Sequence, residues 1–554
     1  MDERYPWLDS YPEDVPAEIN PDIYQSLSEL LVDSAKKHSS RPAFSNSGVV
    51  LHFEKIEKLS RDFAAFLQSD TTLKPGDRVA VMLPNLLQYP VVTFGILRAG
   101  MVVVNVNPLY TERELEHQLS DSGAKMIVVL ENFASVVAAI WKKVDLEMVV
   151  VTEAGDHFSP LKRTITNLYV KYFKRLVPNW KIKKAIRYLA ALDNGNKADY
   201  KNVEINPEDT AFLQYTGGTT GAPKGAVLTH RNMISNVLQA SAWVSASLDG
   251  QDDVVVTPLP LYHVFSLTAN LLCFFNLGAH NVLVTNPRNL ESLLKDLKRW
   301  PFTFITGVNT LFVALLNCPG FSKIDFSRHK VSMGGGSAVQ RSVSNEWHEI
   351  TGRPLAQGYG LTEASPIVSA TLLNCKEFNG SVGLPLPSTE VVICGEDGGC
   401  MSLDEVGEIC IRGPQVMKEY WKNPVETVRV LSEDGWLKTG DVGRIDKHGY
   451  LYIEDRKKDL ILVSGFNVYP SEIEEVMASH PGVLEAAAVG IPDDRTGEAV
   501  KLFITKKHAE ITKEQLMEYC CNNLTGYKRP KEIVFCENLP KNNVGKVLRR
   551  VLRE

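Results

Sequence analysis

The chain has 554 residues, of which 44% are hydrophobic and 23% charged, and its formal net charge is −6. This length exceeds what one hydrophobic core normally supports, so at least two domains are expected. The acidic balance argues against a general nucleic-acid binder. The nine cysteines form no Cys-x-x-Cys pair. We therefore expect reduced thiols, with neither a zinc site nor a disulfide framework.

The first residues of the chain and one apolar stretch indicate where in the cell the protein is expected. Residues 1–21 hold acidic residues and four prolines rather than a basic segment followed by an apolar run. No secretory signal is therefore predicted, and a cytoplasmic protein is expected. The stretch 258–278 is strongly apolar, but His263, Ser266, Thr268 and Asn270 interrupt it. It is predicted to be a buried core helix and not a membrane span.

Helical patterns and short apolar runs alternate over the first 200 residues. Helices are predicted at 24–37, 89–99 and 113–120, and strands at 78–82, 101–106 and 125–130. The alternation resumes at 302–305 and 330–333. After Gly383 short alternating strands such as 407–412 take over. The sequence thus predicts an α/β fold: a large N-terminal domain, residues 1–457, of helix-covered, largely parallel sheets plus a β-rich part.

The remainder, residues 458–554, is predicted to be a small, mobile α+β domain. A capping box of Ser471 and Glu474 is expected to open its first helix. Strands are predicted at 485–489, 501–505 and 532–535. A second helix is expected to bury the following side chains: Leu516, Met517, Cys520, Cys521 and Leu524.

The segment 161–192 contains nine Lys or Arg residues and no Asp or Glu. In its first part Ile165, Leu168, Tyr172 and Phe173 recur at helical spacing. Such a helix could lie in a membrane interface. It could equally pack its apolar face on the core and leave a solvated basic face. The sequence leaves both readings open.

Residues 215–225 read Tyr-Thr-Gly-Gly-Thr-Thr-Gly-Ala-Pro-Lys-Gly. The glycines allow close approach of the backbone to a ligand, and the threonine hydroxyls and Lys224 supply donors for anionic oxygens. An apolar run precedes the loop and an amphipathic stretch follows at Thr229, so a strand–loop–helix phosphate site is predicted. The alternative is a solvated Gly/Thr linker. The spacing is not that of a Walker A loop, because Pro223 and Gly225 flank the lysine.

Four further motifs have the residue types of a nucleotide site. Gln-Gly-Tyr-Gly-Leu-Thr-Glu at 357–363 offers a ring to stack on a base and a carboxylate for magnesium. Thr-Gly-Asp at 439–441 offers a bidentate acceptor for ribose hydroxyls, with Arg456 as a companion donor. His263 is alone in an apolar run, where a core role is the commoner one. Lys546 by itself reads as a solvated lysine near the end of the chain.

Taken in order, these motifs resemble the adenylate-forming superfamily of acyl-CoA synthetases, luciferases and peptide-synthetase adenylation domains. Gly-Gly-Gly-Ser at 334–337, Asp-Arg-Lys-Lys-Asp at 455–459 and Pro-Lys-x-x-x-Gly-Lys at 540–546 strengthen the resemblance, which covers the whole chain. Phrases at 84–90, 104–110 and 462–470 are similar to bacterial long-chain fatty-acid–CoA ligases. One departure is Leu462, since many relatives have a lysine there.

The resemblance implies a reaction in two steps, in which ATP and a fatty acid form an acyl-adenylate and coenzyme A then takes the acyl group. It implies catalytic roles for Lys546, Glu363, Thr216 and His263, and Mg²⁺ at Thr216 and Glu363. The implied nucleotide-binding residues are Tyr215, Thr216, Gly217, Gly218, Thr219, Thr220, Gly221, Lys224, Gly225, Gly335, Gly336, Gln357, Gly358, Tyr359, Thr362, Asp441 and Arg456. The remaining implied roles are a hinge at Lys458, a coenzyme A side at Gly465 and Phe466, and an acyl pocket at His263, Val308 and Gly334.

Three other functions remain open from the sequence: transfer of the acyl group to a carrier protein, luciferase-like oxygenation, and non-catalytic lipid binding at a membrane. The expected partners are fatty acid, ATP and coenzyme A, with no nucleic acid. Peripheral contact with the inner face of the cytoplasmic membrane is expected from the basic segment. The oligomeric state is left open, and a homodimer is one of the states allowed.

Overall fold

The computed structural model describes residues 5–216, 223–245, 247–248, 252–507, 510–542 and 545–553. Its strands, numbered in chain order, are β1 (Pro42–Asn46), β2 (Val49–His52), β3 (Arg78–Met82), β4 (Val102–Asn105), β5 (Met126–Leu130), β6 (Met148–Thr152), β7 (Ala185–Arg187), β8 (Thr210–Thr216), β9 (Lys224–Thr229), β10 (Val254–Thr257), β11 (His280–Leu283), β12 (Phe304–Gly307), β13 (Val331–Gly335), β14 (Leu355–Gly360), β15 (Ile367–Ala370), β16 (Leu384–Pro385), β17 (Glu390–Cys394), β18 (Gly407–Arg412), β19 (Glu419–Tyr420), β20 (Leu437–Ile445), β21 (Leu451–Arg456), β22 (Ile461–Val463), β23 (Phe466–Val468), β24 (Val483–Asp493), β25 (Gly497–Lys506) and β26 (Glu532–Phe535).

The α-helices are α1 (Leu27–Lys37), α2 (Phe53–Ser69), α3 (Gln88–Arg98), α4 (Glu112–Ser122), α5 (Ala134–Ile140), α6 (Pro160–Leu168), α7 (Tyr188–Lys197), α8 (His230–Ser245), α9 (Val264–Ser266), α10 (Cys273–Asn276), α11 (Leu290–Arg299), α12 (Asn309–Leu316), α13 (Arg341–Thr351), α14 (Pro424–Val430), α15 (Pro470–Ala478), α16 (Lys513–Asn523) and α17 (Arg549–Arg553). Two π-helical turns, Tyr169–Phe173 and Leu267–Leu272, continue α6 and α9. None of the helices within the described ranges is long and apolar enough to cross a membrane.

Two large sheets form the N-terminal part. One has the strand order β16-β15-β14-β13-β12-β10-β11-β1-β2, and the other has the order β19-β9-β8-β4-β3-β5-β6-β7. Strands β10 to β14 pair in parallel in the first sheet, as do β3 to β8 in the second. The residues of the central strands β3, β4 and β5 are almost wholly buried, which explains the continuous apolar runs of the sequence. The predicted largely parallel, helix-covered architecture is confirmed.

The β-rich part is an antiparallel sheet with the order β17-β18-β20-β21. The strand predicted at 407–412 is β18, and its Ile409 and Ile411 side chains are both fully buried. The short strand β19 instead crosses to the second large sheet and pairs with β9. The sequence did not predict this crossing, because a two-residue strand has too little periodicity to be recognised.

A smaller α+β unit follows β21, with strands β22 to β26 and helices α15 and α16 around their own core. This fold is confirmed, whereas the boundary between residues 457 and 458 stays a prediction. Helix α16 begins with a capping box of Thr512 and Gln515 and buries Leu516 and Cys520. Cys521 is exposed, so its predicted burial was wrong. It neighbours Cys520 in the helix and therefore points to another face.

The predicted capping box of Ser471 and Glu474 was also wrong. Helix α15 begins at Pro470, and its N-cap residue Tyr469 makes no side-chain capping bond. The Ser471 hydroxyl donates to Asp455 Oδ2 at 2.9 Å, and Glu474 accepts from Arg549 at 2.7 Å. Both side chains therefore bind residues that are distant in the chain, Asp455 and Arg549, and do not cap the helix.

The buried helix predicted in the stretch 258–278 is confirmed, although its helical part begins only at Val264. The first part of the basic segment, residues 160–173, does not pack on the core as a buried helix would. Helix α6 and the π turn after it bury none of their residues. The side chains of Leu161 and Phe173 are each 74% exposed, and that of Tyr172 is 67% exposed. The apolar face of this segment therefore lies on the protein surface.

Candidate functional site

The predicted phosphate loop joins two antiparallel strands. Thr216 at the end of β8 pairs with Lys224 at the start of β9, and Tyr215 pairs with Gly225. The predicted strand–loop–helix order was wrong, because the whole of β9 lies between the loop and α8. The loop residues Gly217, Gly218, Thr219, Thr220 and Gly221 lie outside the described residues.

Close contacts hold the ends of the two strands that flank the loop. A Cβ atom on Gly225 would lie 3.1 Å from the Tyr215 ring, so only glycine fits against this ring without displacing it. The Tyr215 hydroxyl donates to Asp121 of α4, and burial together with this carboxylate raises the pKa of Tyr215 well above its usual value. The Thr216 hydroxyl donates to the Lys224 carbonyl at 3.4 Å. The side chain of Tyr215 is therefore engaged between Asp121 and Gly225 at the end of β8.

The ammonium group of Lys224 is paired with Glu426 of α14 and lies 5.3 Å from the centre of the Tyr420 ring. The Tyr420 hydroxyl in turn donates to Glu363 Oε1 at 2.6 Å. Burial, followed by the charge of Glu363, raises the pKa of Tyr420 well above its usual range. Sequence reasoning missed Tyr420 and Glu426, since neither has a fixed spacing from the loop.

Glu363 follows β14 in a short 3-10 turn that begins at Thr362. Its carbonyl accepts from the Met417 amide at 2.7 Å, so the segment before β19 holds the residue in place. Among the residues that the structure describes, no group of three or more His, Cys, Asp or Glu side chains is arranged for a metal ion. One carboxylate and the Thr216 hydroxyl are oxygen donors of the kind Mg²⁺ takes together with substrate phosphates and water. The residues present fit such an ion.

The residues predicted to frame a base come together where β13 and β14 run side by side. Gly335 pairs with Gly358, and a Cβ atom on Gly335 would lie 2.9 Å from the Phe265 ring. Gly336 has φ of +75°, a conformation that favours glycine. The Gln357 side chain donates to the Ser381 carbonyl at 2.7 Å and accepts from a backbone amide, so it braces the surrounding loops.

Tyr359, Asp441 and Arg456 are brought into direct contact. The Tyr359 hydroxyl donates to Asp441 Oδ2 at 2.8 Å, and Arg456 Nε lies 3.2 Å from Asp441 Oδ1. The side chain of Asp441 is 8% exposed, and burial raises the pKa of Tyr359 well above its usual value. A carboxylate offers about four lone-pair positions, so Asp441 retains acceptor capacity for hydroxyl donors of a ligand.

Lys546 lies close enough to this cluster to be affected by its charges. Burial, followed by the charge of Arg456, lowers the pKa of Lys546 to about 8. Burial lowers the pKa of His263 to about 4, and the charge of Lys546 acts in the same direction. His263 is therefore neutral at pH 7, and its Nδ1 accepts from the Phe265 amide at 3.3 Å.

The backbone before Lys546 is docked on the start of α12. The Thr310 hydroxyl donates to the Gly545 carbonyl at 3.3 Å. A Cβ atom on Gly545 would lie 2.6 Å from Thr310 Oγ1 and 3.1 Å from Val308 Cγ2, and Gly545 has φ of +88°. Thr310 was not predicted, because nothing in its neighbouring sequence relates it to the end of the chain.

The residues predicted for the coenzyme A side are not part of this cluster. Gly465 has open space beside it, since no atom lies within 4 Å of a Cβ placed there. Phe466 is 57% exposed and stacks on Tyr527, with the ring centres 4.9 Å apart. Lys458, the predicted hinge, follows β21 by two residues, and burial lowers its pKa. These positions lie on the small C-terminal unit at or beyond the predicted hinge.

An apolar cavity of about 20 Å³ lies between helices α8 and α10 and strands β12, β13 and β15. Its lining includes Trp243, Phe274, Phe304, Met333, Ile367 and Leu386. Met333 directly precedes Gly334, the residue predicted for the acyl pocket, where a Cβ atom would lie 2.4 Å from Val339. The cavity has room for about one water molecule, so a larger apolar guest requires its lining to move.

Comparisons with known proteins identify the family of the chain. Residues 31–421 match the family described as AMP-binding enzyme, and residues 472–546 match the AMP-binding enzyme C-terminal domain. The chain is 54% identical over 548 residues to the long-chain-fatty-acid–CoA ligase of Escherichia coli O157:H7, covering 99% of this chain and 98% of that protein. It is 39% identical over 559 residues to the ligase of the same name from Bacillus subtilis, covering 100% and 98%. The crystal structure of ATP-bound MatB from Rhodopseudomonas palustris superposes with a TM-score of 0.81 at 27% identity, covering 95% and 98% of the two chains.

Proposed function

Because the chain belongs to the AMP-binding enzyme family, we propose that it is an AMP-forming ligase that joins long-chain fatty acids to coenzyme A. The observation that carries this proposal is the position of Lys546. The segment that carries this lysine comes from the C-terminal unit and is docked on Thr310 through Gly545, and Lys546 is near enough to Asp441, Arg456 and His263 for their charges to influence one another. A non-catalytic lipid-binding protein would not require a lysine near these charged and polar residues.

The proposed reaction has two steps. The fatty carboxylate attacks the α-phosphorus of ATP, the bond to the β-phosphate breaks, and pyrophosphate leaves. The thiol of coenzyme A then attacks the acyl carbonyl, loses its proton, and AMP leaves. No nucleophile of the protein takes part, so its residues act by positioning the reactants and by stabilising charge.

In the first step Lys546 donates to the negatively charged oxygens of the α-phosphate and the carboxylate. Asp441 accepts from the ribose hydroxyls while Arg456 holds its carboxylate in place, and Tyr359 with Gly335 and Gly336 lines the base. Lys224 and the loop threonines bind the outer phosphates. Thr216 and Glu363 would hold a magnesium ion, which would supply positive charge for the pyrophosphate leaving group.

We place the carboxyl end of the fatty acid beside His263, Val308 and Gly334. The neutral imidazole of His263 can donate a hydrogen bond to the fatty-acid carboxylate, while Lys546 supplies the positive charge. The tail would extend into the apolar cavity lined by Trp243 and Phe274, whose side chains would have to separate. A kinetic panel of saturated acids from C6 to C18 tests this: kcat/KM should rise with chain length, and a flat profile would contradict a deep acyl pocket.

The second step requires the C-terminal unit to turn about Lys458, because Lys546 occupies the approach of the thiol. The exposed loop with Gly465 and Phe466 would then face the site. This is a hinge motion at a domain boundary, with residues 1–457 and 458–554 as the two bodies.

The direct test of the function is pyrophosphate release with fatty acid and MgATP, measured with and without coenzyme A. We expect fatty-acid-dependent release in both cases, and acyl-CoA with AMP only when coenzyme A is present. Transfer of the acyl group only to a carrier protein, or oxidation of the adenylate, would overturn the proposed acceptor. Absence of pyrophosphate release would overturn the enzyme assignment.

We also propose that the surface of α6 and the following π turn rests on an anionic bilayer at the cytoplasmic face of the membrane. Transfer of one exposed Phe or Leu side chain from water into the bilayer contributes about 1.5–3 kcal/mol to the free energy of membrane binding. Lys or Arg residues near an anionic leaflet add roughly 1 kcal/mol each. Glu131 pairs with Lys171 and Arg187 and so anchors the segment to the protein below it.

Sedimentation with vesicles of phosphatidylcholine and phosphatidylserine tests this contact. The parent protein should bind at low salt, and a variant with Leu161→Ser, Ile165→Ser and Phe173→Ser should lose binding. The matched control is Val425→Ser with Val428→Ser, since these side chains are 77% and 79% exposed elsewhere on the surface. Equal binding by the triple variant, or none by the parent, would reject the membrane contact.

A further inference from the structure

Asp455 joins the two sides of the proposed hinge through a buried charged cluster. It lies in β21, before Lys458, and its side chain is 3% exposed. Its Oδ2 accepts from the Ser471 amide and from the Ser471 hydroxyl, both at 2.9 Å. Its Oδ1 lies 3.1 Å from Arg549 Nη1. Ser471 and Arg549 both lie after Lys458.

The partners of Arg549 are divided between the two sides. Glu474 Oε2 and Asp459 Oδ2, at 2.7 Å and 3.4 Å from the guanidinium, both follow Lys458 in the chain. They would move with Arg549 if the C-terminal unit turned, whereas Asp455 would stay behind. Rotation therefore breaks the contacts of Asp455 but leaves the arginine with two carboxylates. An arginine that stays paired in both orientations avoids the large cost of a buried, uncompensated charge.

Arg549 is also three residues after Lys546. The bonds of Asp455 therefore fix the end of the segment that carries the lysine, while Thr310 fixes its beginning through Gly545. Another bond across the same boundary, from the Ser342 hydroxyl to the Ala478 carbonyl, is 3.4 Å long and uncharged. The charged contacts at Asp455 are the stronger kind.

We propose that Asp455 is a positioning residue for adenylate formation, which holds the C-terminal unit in the orientation that presents Lys546 to the nucleotide. Release of Ser471 and Arg549 from Asp455 accompanies the turn that admits coenzyme A. The inference rests on the proposed two-step reaction and on Lys458 as the pivot. The carboxylate of Asp455 would thus favour adenylate formation over thioester formation.

The test compares Asp455→Asn with the matched control Asp459→Asn. Both changes remove one negative charge near Arg549, but only the first removes a contact across the hinge. Hydrogen bonds to charged groups contribute enough that Asp455→Asn should slow adenylate formation about tenfold or more. Thioester formation from supplied acyl-adenylate should be unchanged or faster. Asp459→Asn should leave the ratio of the two rates close to that of the parent.

The inference is overturned if Asp455→Asn slows both half-reactions equally or neither, or if Asp459→Asn shifts the ratio as much. If Asp455→Asn fails to fold, as judged by its circular dichroism and Tm, Ser471→Ala replaces it. That variant keeps the amide bond to Asp455 and removes the bonds of the hydroxyl to Asp455 and to the Glu454 carbonyl, which both cross the hinge, so a smaller shift in the same direction is expected. A parent protein that forms no adenylate at all would instead refute the proposed function.

Discussion

Replacement of Lys546 by alanine should separate the two half-reactions. The lysine is expected to contact negative charge that develops during adenylate formation, and to be absent from the site when the thiol attacks. Loss of one such donor typically costs about 10²–10³ in rate. Lys546→Ala should therefore lose most of its adenylate formation and keep thioester formation from supplied acyl-adenylate.

The lowered pKa of Lys546 adds a dependence on pH. With a pKa of about 8, most of the lysine carries the ammonium charge at pH 7. The charged form is the donor, so the rate of adenylate formation should fall as pH rises through 8, by about tenfold for each further unit. Lys546→Arg is the matched control, because its guanidinium stays charged across this range and the decline should disappear.

Both half-reactions are measured with the full-length protein. Pyrophosphate release without coenzyme A reports the first, and acyl-CoA formed from synthetic acyl-adenylate reports the second, each from pH 6.5 to 9.5. An equal loss in both steps for Lys546→Ala would refute the two-orientation scheme. A decline above pH 8 that persists in Lys546→Arg would show that another group titrates.

Two further variants test the docking and the turn of the C-terminal unit. Gly545→Ala should slow adenylate formation more than thioester formation, because the added Cβ would lie 2.6 Å from Thr310 Oγ1 at a residue with φ of +88°; a normal rate would mean that this contact does not hold Lys546. Lys458→Pro should have the reverse bias, because proline restricts φ at the pivot and holds one orientation. Thioester formation at the parent rate by Lys458→Pro would place the hinge elsewhere.

The sequence by itself determined the architecture of the layers and the residue types of the site. Strands β3 and β18 begin and end where they were predicted. The apolar run 79–82 is typical of a strand buried on both faces, and the alternation over 407–412 is typical of a strand in an antiparallel sheet. The order of the glycine-rich and acidic motifs predicted an adenylate-forming enzyme. Tyr359, Asp441 and Arg456 were named from the motifs alone, and they are in contact.

Tertiary structure decided what the local patterns left open or predicted wrongly. Ser471 and Glu474 have the spacing of a capping box, but Asp455 and Arg549 compete for them and prevail. Strand β9 separates the phosphate loop from α8, because Lys224–Thr229 pairs with β8. The amphipathic pattern that begins at Thr229 gives no sign of this pairing.

The same holds for contacts between distant parts of the chain. Tyr420 reaches Glu363, and Thr310 reaches Gly545, although no spacing relates either pair. The basic segment has the periodicity of a core helix, and only the packing around it decides that its apolar face is exposed. Periodicity reports which side chains share a face, whereas the partner of that face depends on how remote elements assemble.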